Sequence, residues 1–483
     1  MATRIEERSA RRTRVGRKER PDATAGARSF ASADERRAKG RALRDLVTRA
    51  SHAGWKPAAK RRDPLDIVVA SNKGRILDLI PIRFGRMSAS PFAFYRGSAA
   101  LMAADLATTP GSGIRVQACG DAHLMNFGGF ATPERHVVFD INDLDETLPA
   151  PWEWDLKRLA TSLVIAAQHL QLAESDAARI AADVACRYRE KIADYAAMRA
   201  LDVWYDHIEL QRYEDRAASP ELVASIRKYA ARRIATQRRK EHPEHMLPKL
   251  VTMDGGTPRI KDEPPLIFHP SAELAPGLRN GFVKAGAAYR ESLPEHVRSL
   301  FGRFHFMDYA IKVVGVGSVG TMCSVALYLA DEHDPLFLQI KEARASVLEP
   351  YAGRSLHSNH GQRIVAGQRL MQAASDVFLG WTRGENGRDM YVRQLRDMKI
   401  SPIIDDWNTT ALRLYGRLCA HALARAHARS GDAAMLAGYL GTSRTFDDAI
   451  AEFAVDYADQ NRSDFRAFIR AIRDGRIEAM VDQ

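Results

Sequence analysis

Residues 120–159, GDAHLMNFGGFATPERHVVFDINDLDETLPAPWEWDLKRL, hold two His, two Asn and eight carboxylates in an order suited to magnesium-assisted phosphoryl transfer. Asp121 follows the strand-like IRVQAC, and a carboxylate at the end of a buried strand can face a reacting group without being lost in solvent. His123 and Asn126 share its loop. After a turn over Thr132 to Arg135, the β-branched run from His136 to Phe139 predicts a second strand that ends on Asp140. Two short strands flanking the loop are expected to form a hairpin-like unit that brings both carboxylates to one site. Mg²⁺ binds through one or two carboxylates plus substrate phosphates, which makes Asp140 and the amide oxygen of Asn126 the expected metal pair. Asp121 is then placed to orient an attacking hydroxyl or take its proton. His123 is the second catalytic candidate, better suited to organising the loop through a hydrogen bond than to acting as base beside an Asp. One Asp or His in a loop is ordinarily a turn or capping residue, so the joint arrangement carries this reading. Asp143, Asp145 and Glu146 lie too close together to point one way, and they stay unassigned.

The motif CGDAHLMN, followed by VFDIND and WDLKRLA, resembles the catalytic segment of aminoglycoside phosphotransferases and choline kinases, a branch of the protein-kinase-like fold. There the loop reads roughly HGDxHxxN, a strand ends in an Asp of the IDF or IDW type, and a later DLA closes the segment on a helix. The resemblance implies Asp121 as catalytic Asp, Asn126 and Asp140 as magnesium ligands, and Asp155 as a structural carboxylate near a helix start. Cys119 stands where that family has its first His. The whole chain also resembles the bacterial proteins grouped as the uncharacterised DUF2252 family, on FYRG at Phe94 to Gly97, the GDAH segment, NDLDET, WDLKRL and QLRDMK. That grouping implies no activity.

Far downstream, Val314 to Gly320 reads VGVGSVG, a GxGxxG pattern on Gly315, Gly317 and Gly320 that includes Ser318. Three glycines in six residues can form any tight turn. A dinucleotide fold needs a helix after the last Gly and an acid about twenty residues on, for which Glu342 is available. A kinase-like loop needs strand, turn and a strand bearing Lys. The continuation TMCSVALYLADEHDPLFLQIKEA reads as a hairpin with a turn at Asp331 to Pro335, and it puts Lys341 where the phosphate-contacting Lys of VAIK would sit. For its ion-pair partner, Glu342 points to the other face of the strand and Glu349 is a candidate, while the helix expected from Gln362 to Phe378 holds no Glu.

In an ordinary kinase these parts precede the catalytic Asp, whereas here they follow it. Either VGVGSVG is an unrelated turn or the chain is circularly permuted, which is tolerated when the original termini lie close together at the surface. The expected architecture is therefore α+β, two-lobed, kinase-like and permuted. Residues 1–62 would be a basic disordered or loosely helical tail and 63–300 a helical large lobe with the catalytic loop. Residues 301–400 would be a small β-rich lobe with the Gly-rich loop and Lys341, and 401–483 helices returning to the large lobe.

At 483 residues the chain exceeds a usual single core, and a hydrophobic fraction of 46% supports a packed globule. The four Cys are widely spaced, which argues against a zinc or disulfide framework and fits a reducing cytoplasm. No apolar run of ~18 residues predicts a membrane span, and no signal peptide is expected. The net charge of +11 sits in residues 1–62, with 19 Lys or Arg against 7 Asp or Glu, while the rest holds 52 against 53. A nucleic-acid or acidic partner is thus a reading for the tail alone. The expected activity is ATP- and Mg²⁺-dependent transfer of phosphate to an unidentified, small-molecule acceptor. The rivals are AMP transfer in the same cleft and a non-catalytic nucleotide-binding pseudokinase.

Overall fold

The computed structural model describes residues 31–213, 220–240, 249–264, 266–269, 275–313, 319–384, 387–395 and 399–480. The fold is α+β. A six-stranded antiparallel sheet has the order β11-β12-β10-β9-β8-β7, built from β7 (Ile267–Phe268), β8 (His305–Lys312), β9 (Cys323–Leu329), β10 (Pro335–Glu342), β11 (Gly380–Arg383) and β12 (Asp389–Gln394). The expected hairpin is present as β9 and β10, paired from Leu329↔Pro335 to Cys323↔Lys341. Both central strands are buried along nearly their whole length, so they read as continuous apolar runs. Ala326, Tyr328, Leu336, Leu338 and Ile340 pack under the helix Ala275–Ser292, on Tyr289. By strand alternation Phe337, Gln339 and Lys341 face the other side.

The second body is helical. The helices Trp152–His169, Glu174–Ala197, Thr409–Ser430 and Thr445–Arg473 share the largest hydrophobic cluster. Trp152–His169 is buried from its first residue to Ala167, and the Trp152 ring stacks on Tyr188 with centroids 5.6 Å apart. Among the described residues, no helix is long and apolar enough to cross a membrane.

Three expectations change. First, the strand that ends before Asp121, β1 (Arg115–Ala118), does not share a hairpin with the strand bearing Asp140. β1 pairs with β4 (Leu148–Pro151), while β2 (Phe127–Ala131) pairs with β3 (Val137–Ile141), the turn falling at Thr132 to His136; β5 (Val251–Asp254) and β6 (Thr257–Ile260) form a further hairpin. Second, Asp140 lies inside β3 rather than at its end. Third, part of the expected tail is folded, although residues 1–30 lie outside the described residues. Ala33–Leu46 is a helix with a Ser32/Glu35 capping box, packed on Ala433–Leu440. Its Arg44 serves the last carbonyls of Ala433–Leu440, donating to Tyr439 O (2.8 Å) and Gly438 O (2.5 Å), and its Arg36 pairs with Asp432 at 2.9 Å. The two helices meet so closely that a Cβ on Gly40 would lie 2.0 Å from Met435 O.

Asp140 is fully buried and both its oxygens accept, at 2.8 and 2.7 Å, from Nη2 of Arg425, itself fully buried on Thr409–Ser430. Removing one member of a buried pair strands the other charge. Arg425→Met is therefore expected to cost about 3–5 kcal/mol, read as a lower urea midpoint. Adding Asp140→Asn to that variant should recover part of the loss.

Candidate functional site

The loop after β1 is held from below by one carboxylate. Asp155, in the first turn of Trp152–His169, accepts from Cys119 N (2.6 Å) and Gly120 N (2.9 Å), and its Oδ2 lies 3.1 Å from His427 Nε2. Gly120 has φ +81°, and a Cβ there would lie 2.5 Å from Glu146 O, so the turn requires glycine. Beyond it, the Asp121 carbonyl accepts from His123 N (2.8 Å) and Asn126 Nδ2 (2.7 Å). Asn126 O in turn accepts from Asn142 N at 2.7 Å, which ties the loop to the chain leaving β3. Asp121 Oδ1 is gripped by Arg158, from Nε at 2.6 Å and from Nη2. His123 Nε2 stands 3.8 Å from Asp121 Oδ2, and burial pushes its imidazole down to about 4, so it is neutral at pH 7.

The carboxylates after β3 divide. Asp140 points into the helical body, with Ala373 N and Arg425 on it. Asp143 stands at the open cleft instead, 3.7 Å from Lys341 Nζ. Desolvation raises its carboxyl, but Lys341, Arg393 and Lys399 outweigh that and hold it below the usual range. Asp145 takes the shorter bonds, from Lys341 Nζ at 2.7 Å and Tyr391 Oη at 2.6 Å. Lys341 and Tyr391 are cross-strand neighbours on β10 and β12, so strand register aims both at the same carboxylate. Asp145 is thus the ion-pair partner that the sequence left open. Glu342 bonds Arg388 at 2.8 Å, and Glu349 lies 3.7 Å from His360.

Two cavities meet here. The larger, about 410 Å³, has Lys312, Lys341, Arg393 and Lys399 in its wall, with Gln394 and Leu395 of the chain leaving β12. Burial and Arg393 push Lys399 down to about 8. The smaller, about 270 Å³, holds Asp121, His123, Glu146, Arg75, Arg83 and Arg344. Arg96, Asn126 and Asp143 belong to both walls. Among the Gly-rich candidates, Gly315, Gly317 and Ser318 lie outside the described residues. Gly320 has φ +83°, and its carbonyl accepts from Ile76 N at 2.8 Å. The segment's two flanks reach the cavities, Lys312 the larger and Thr321 the smaller.

The structure therefore brings together Asp121, His123, Asn126 and Lys341, and sets Asp140 apart. Sequence reading passed over Asp143, Arg158 and the opposing Arg425. The signal for Asp143 was available, since it is the first carboxylate to leave β3 after the Asn126 loop. A family model described as "Uncharacterized protein conserved in bacteria (DUF2252)" matches residues 75–471. No curated protein and no solved structure matches the chain.

Glu146, which accepts from Val347 N at 2.7 Å, is pushed up to about 7 by burial. A carboxyl raised above its ordinary 4.5 contributes stability that is complete below pH 4.5 and lost as pH rises through 7. Gln keeps the acceptor oxygen without the charge. Glu146→Gln should therefore gain about 1–2 kcal/mol on wild type between pH 4.5 and pH 8, the displacement being discounted for partial exposure. Urea titrations at the two pH values measure the difference, and a constant offset between the proteins would contradict it.

Proposed function

We propose a Mg²⁺- and ATP-dependent phosphotransferase of kinase-like, two-lobed and circularly permuted build for this chain, which belongs to the DUF2252 family of uncharacterized bacterial proteins. The observation that carries the reading is the meeting of Lys341 with Asp143 and Asp145, parts separated by about two hundred residues. The order of elements supports it. From β8 the chain runs through the Gly-rich segment, β9, β10 with Lys341, the helix His360–Met371, β11 and β12. That is the order of strand, Gly-rich sequence, strand, Lys strand and helix expected of a kinase small lobe. The loop bearing Asp121 comes earlier in the chain; its Asn126 lines the cavity of Lys341, and Asp121 itself lines the adjoining one.

Five cations around one cavity, Arg96, Lys312, Lys341, Arg393 and Lys399, suit a polyphosphate, and Lys341 would neutralise it. Asn126 spends its amide nitrogen on the loop, which leaves its oxygen for a hard cation, and Asp143 adds an ionised carboxylate on the same wall. Two oxygen ligands suit Mg²⁺, which takes its remaining ligands from water and phosphate. Among the described residues, no group of three or more His, Cys, Asp or Glu could hold a metal by itself. The metal role expected of Asp140 thus passes to Asp143 in this reading. When bound, Mg²⁺ would neutralise charge on the transferring phosphate. Asp121, fixed by Arg158, would orient the acceptor hydroxyl in the smaller cavity. A carboxylate held by a guanidinium is a weak base, so positioning is its main contribution. His123 Nδ1 is buried and without a hydrogen-bond partner, and the neutral ring packs the loop.

Thermal unfolding with ATP, with and without Mg²⁺, tests the proposal. ATP with Mg²⁺ at a hundred times its Kd should stabilise wild type by about 2.7 kcal/mol, and Lys341→Met should lose most of that shift. Asp143→Asn should lose the Mg²⁺ dependence, whereas Asp140→Asn should lower stability and keep it. Release of ADP would identify phosphoryl transfer, and release of pyrophosphate would replace it with AMP transfer. If no nucleotide shifts the transition, the proposal fails.

A further inference from the structure

The smaller cavity has a charge pattern that phosphoryl transfer alone does not explain. Arg83 is 2% exposed; its Nη1 donates to Asn72 Oδ1 and its Nη2 to Gly97 O, both at 2.7 Å, and its Nε is buried with no partner. Arg344 gives its Nη atoms to the carbonyls of Ser71 and Lys73. Arg96, on both walls, has a buried Nε without a partner, and its guanidinium lies 5.9 Å from the Phe92 ring. These acceptors are neutral. Among the described residues, no carboxylate lies within ion-pairing distance of Arg83, Arg96 or Arg344.

The carboxylates of the same cavity are already matched. Arg158 holds Asp121, Lys341 holds Asp145, Arg388 holds Glu342 at 2.8 Å, Asp143 stands 3.7 Å from Lys341 with Arg393 and Lys399 also acting on it, and Glu146 is pushed up towards neutrality. What remains uncompensated is positive. Burial and the charges of Arg75 and Arg344 push the Arg83 guanidinium well below its ordinary value, a measure of how unfavourable the cluster is without a counter-charge. Burying unpaired cations is costly, and a bound anion relieves the cost. Arg is also the residue whose planar fork suits phosphate and carboxylate.

We infer that the acceptor is an anionic small molecule, a hydroxyl compound carrying a phosphate or carboxylate that docks on Arg83, Arg96 and Arg344 with its hydroxyl towards Asp121. This rests on the phosphotransferase reading and narrows it. A polycationic amino sugar would meet three guanidinium groups of its own sign, so an antibiotic of that kind does not fit. The cavity of about 270 Å³ has the size of a metabolite.

Binding of inorganic phosphate and of malonate to the full chain, at constant ionic strength set by NaCl, is the test. At least one anion should raise the melting temperature of wild type, and the stronger of the two identifies the anionic group. Arg96→Gln and Arg344→Gln are used because Arg83, fully buried, risks the fold. Each should weaken that anion about tenfold or more, while Lys312→Met, in the wall of the larger cavity, keeps it. Arg344→Gln, whose residue lines the smaller cavity alone, should also keep most of the ATP·Mg²⁺ shift. Absence of any anion shift, or an equal shift in wild type and both Arg variants, would overturn the inference. Either result, with the ATP·Mg²⁺ shift intact, leaves the phosphotransferase reading standing. Loss of the ATP·Mg²⁺ shift in wild type sinks that reading whatever the anions do.

Discussion

One buried carboxylate fixes the geometry on which the site depends. Asp155 takes the two amides at the end of β1 and faces the imidazole of His427, so a strand, the Trp152 helix and the Thr409 helix are set against one another at a single point. The loop that follows inherits its position from this point and its shape from its own hydrogen bonds. Because Gly120 leaves no room for a side chain against Glu146, the loop and the carboxylate run after β3 are also held in mutual contact. The exposure of Asp121 at the cleft is a consequence of what lies beneath it.

The same segment shows how closely spaced carboxylates are kept apart in role. Each has its own cation: Arg425 for Asp140, Arg158 for Asp121, Lys341 for Asp145. A fully buried pair such as Asp140 with Arg425 gives position rather than net stability, because desolvation consumes much of the attraction. Asp143 differs in having several cations at longer range and a share in both cavities, so it can exchange protein neighbours for a ligand at lower cost.

Much of this was legible in sequence, and the rest was hidden for physical reasons. The turn between β2 and β3, the β9–β10 hairpin and the place of Lys341 follow from local apolar patterning and turn residues, which act over a few positions. Asp155 was expected as scaffold only through the resemblance that WDLKRLA carries. The choice between Asp140 and Asp143 was not, because it turns on where β3 stops and on a guanidinium that the chain supplies much later. The pairing Phe127↔Ile141 carries β3 one residue past Asp140, and that single residue separates a strand end from a strand interior. The helix Ala33–Leu46 escaped for a similar reason. Its arginines look like a solvated charge run until the carbonyls of Ala433–Leu440 are there to receive Arg44 and Asp432 is there to receive Arg36.

The span of these contacts has a consequence for how the protein comes to exist. His427 lies 272 residues beyond Asp155, and Arg425 lies 285 beyond Asp140. During synthesis both carboxylates emerge long before their partners, and at ribosomal rates of ~5–20 residues per second the wait is tens of seconds. A nascent helical body would have to bury two uncompensated charges to close early, which favours leaving it open until the Thr409 helix arrives. High contact order then makes final closure slow. The half-made chain is the state most exposed to aggregation, and the loop bearing Asp121 is among the last parts to take its working shape.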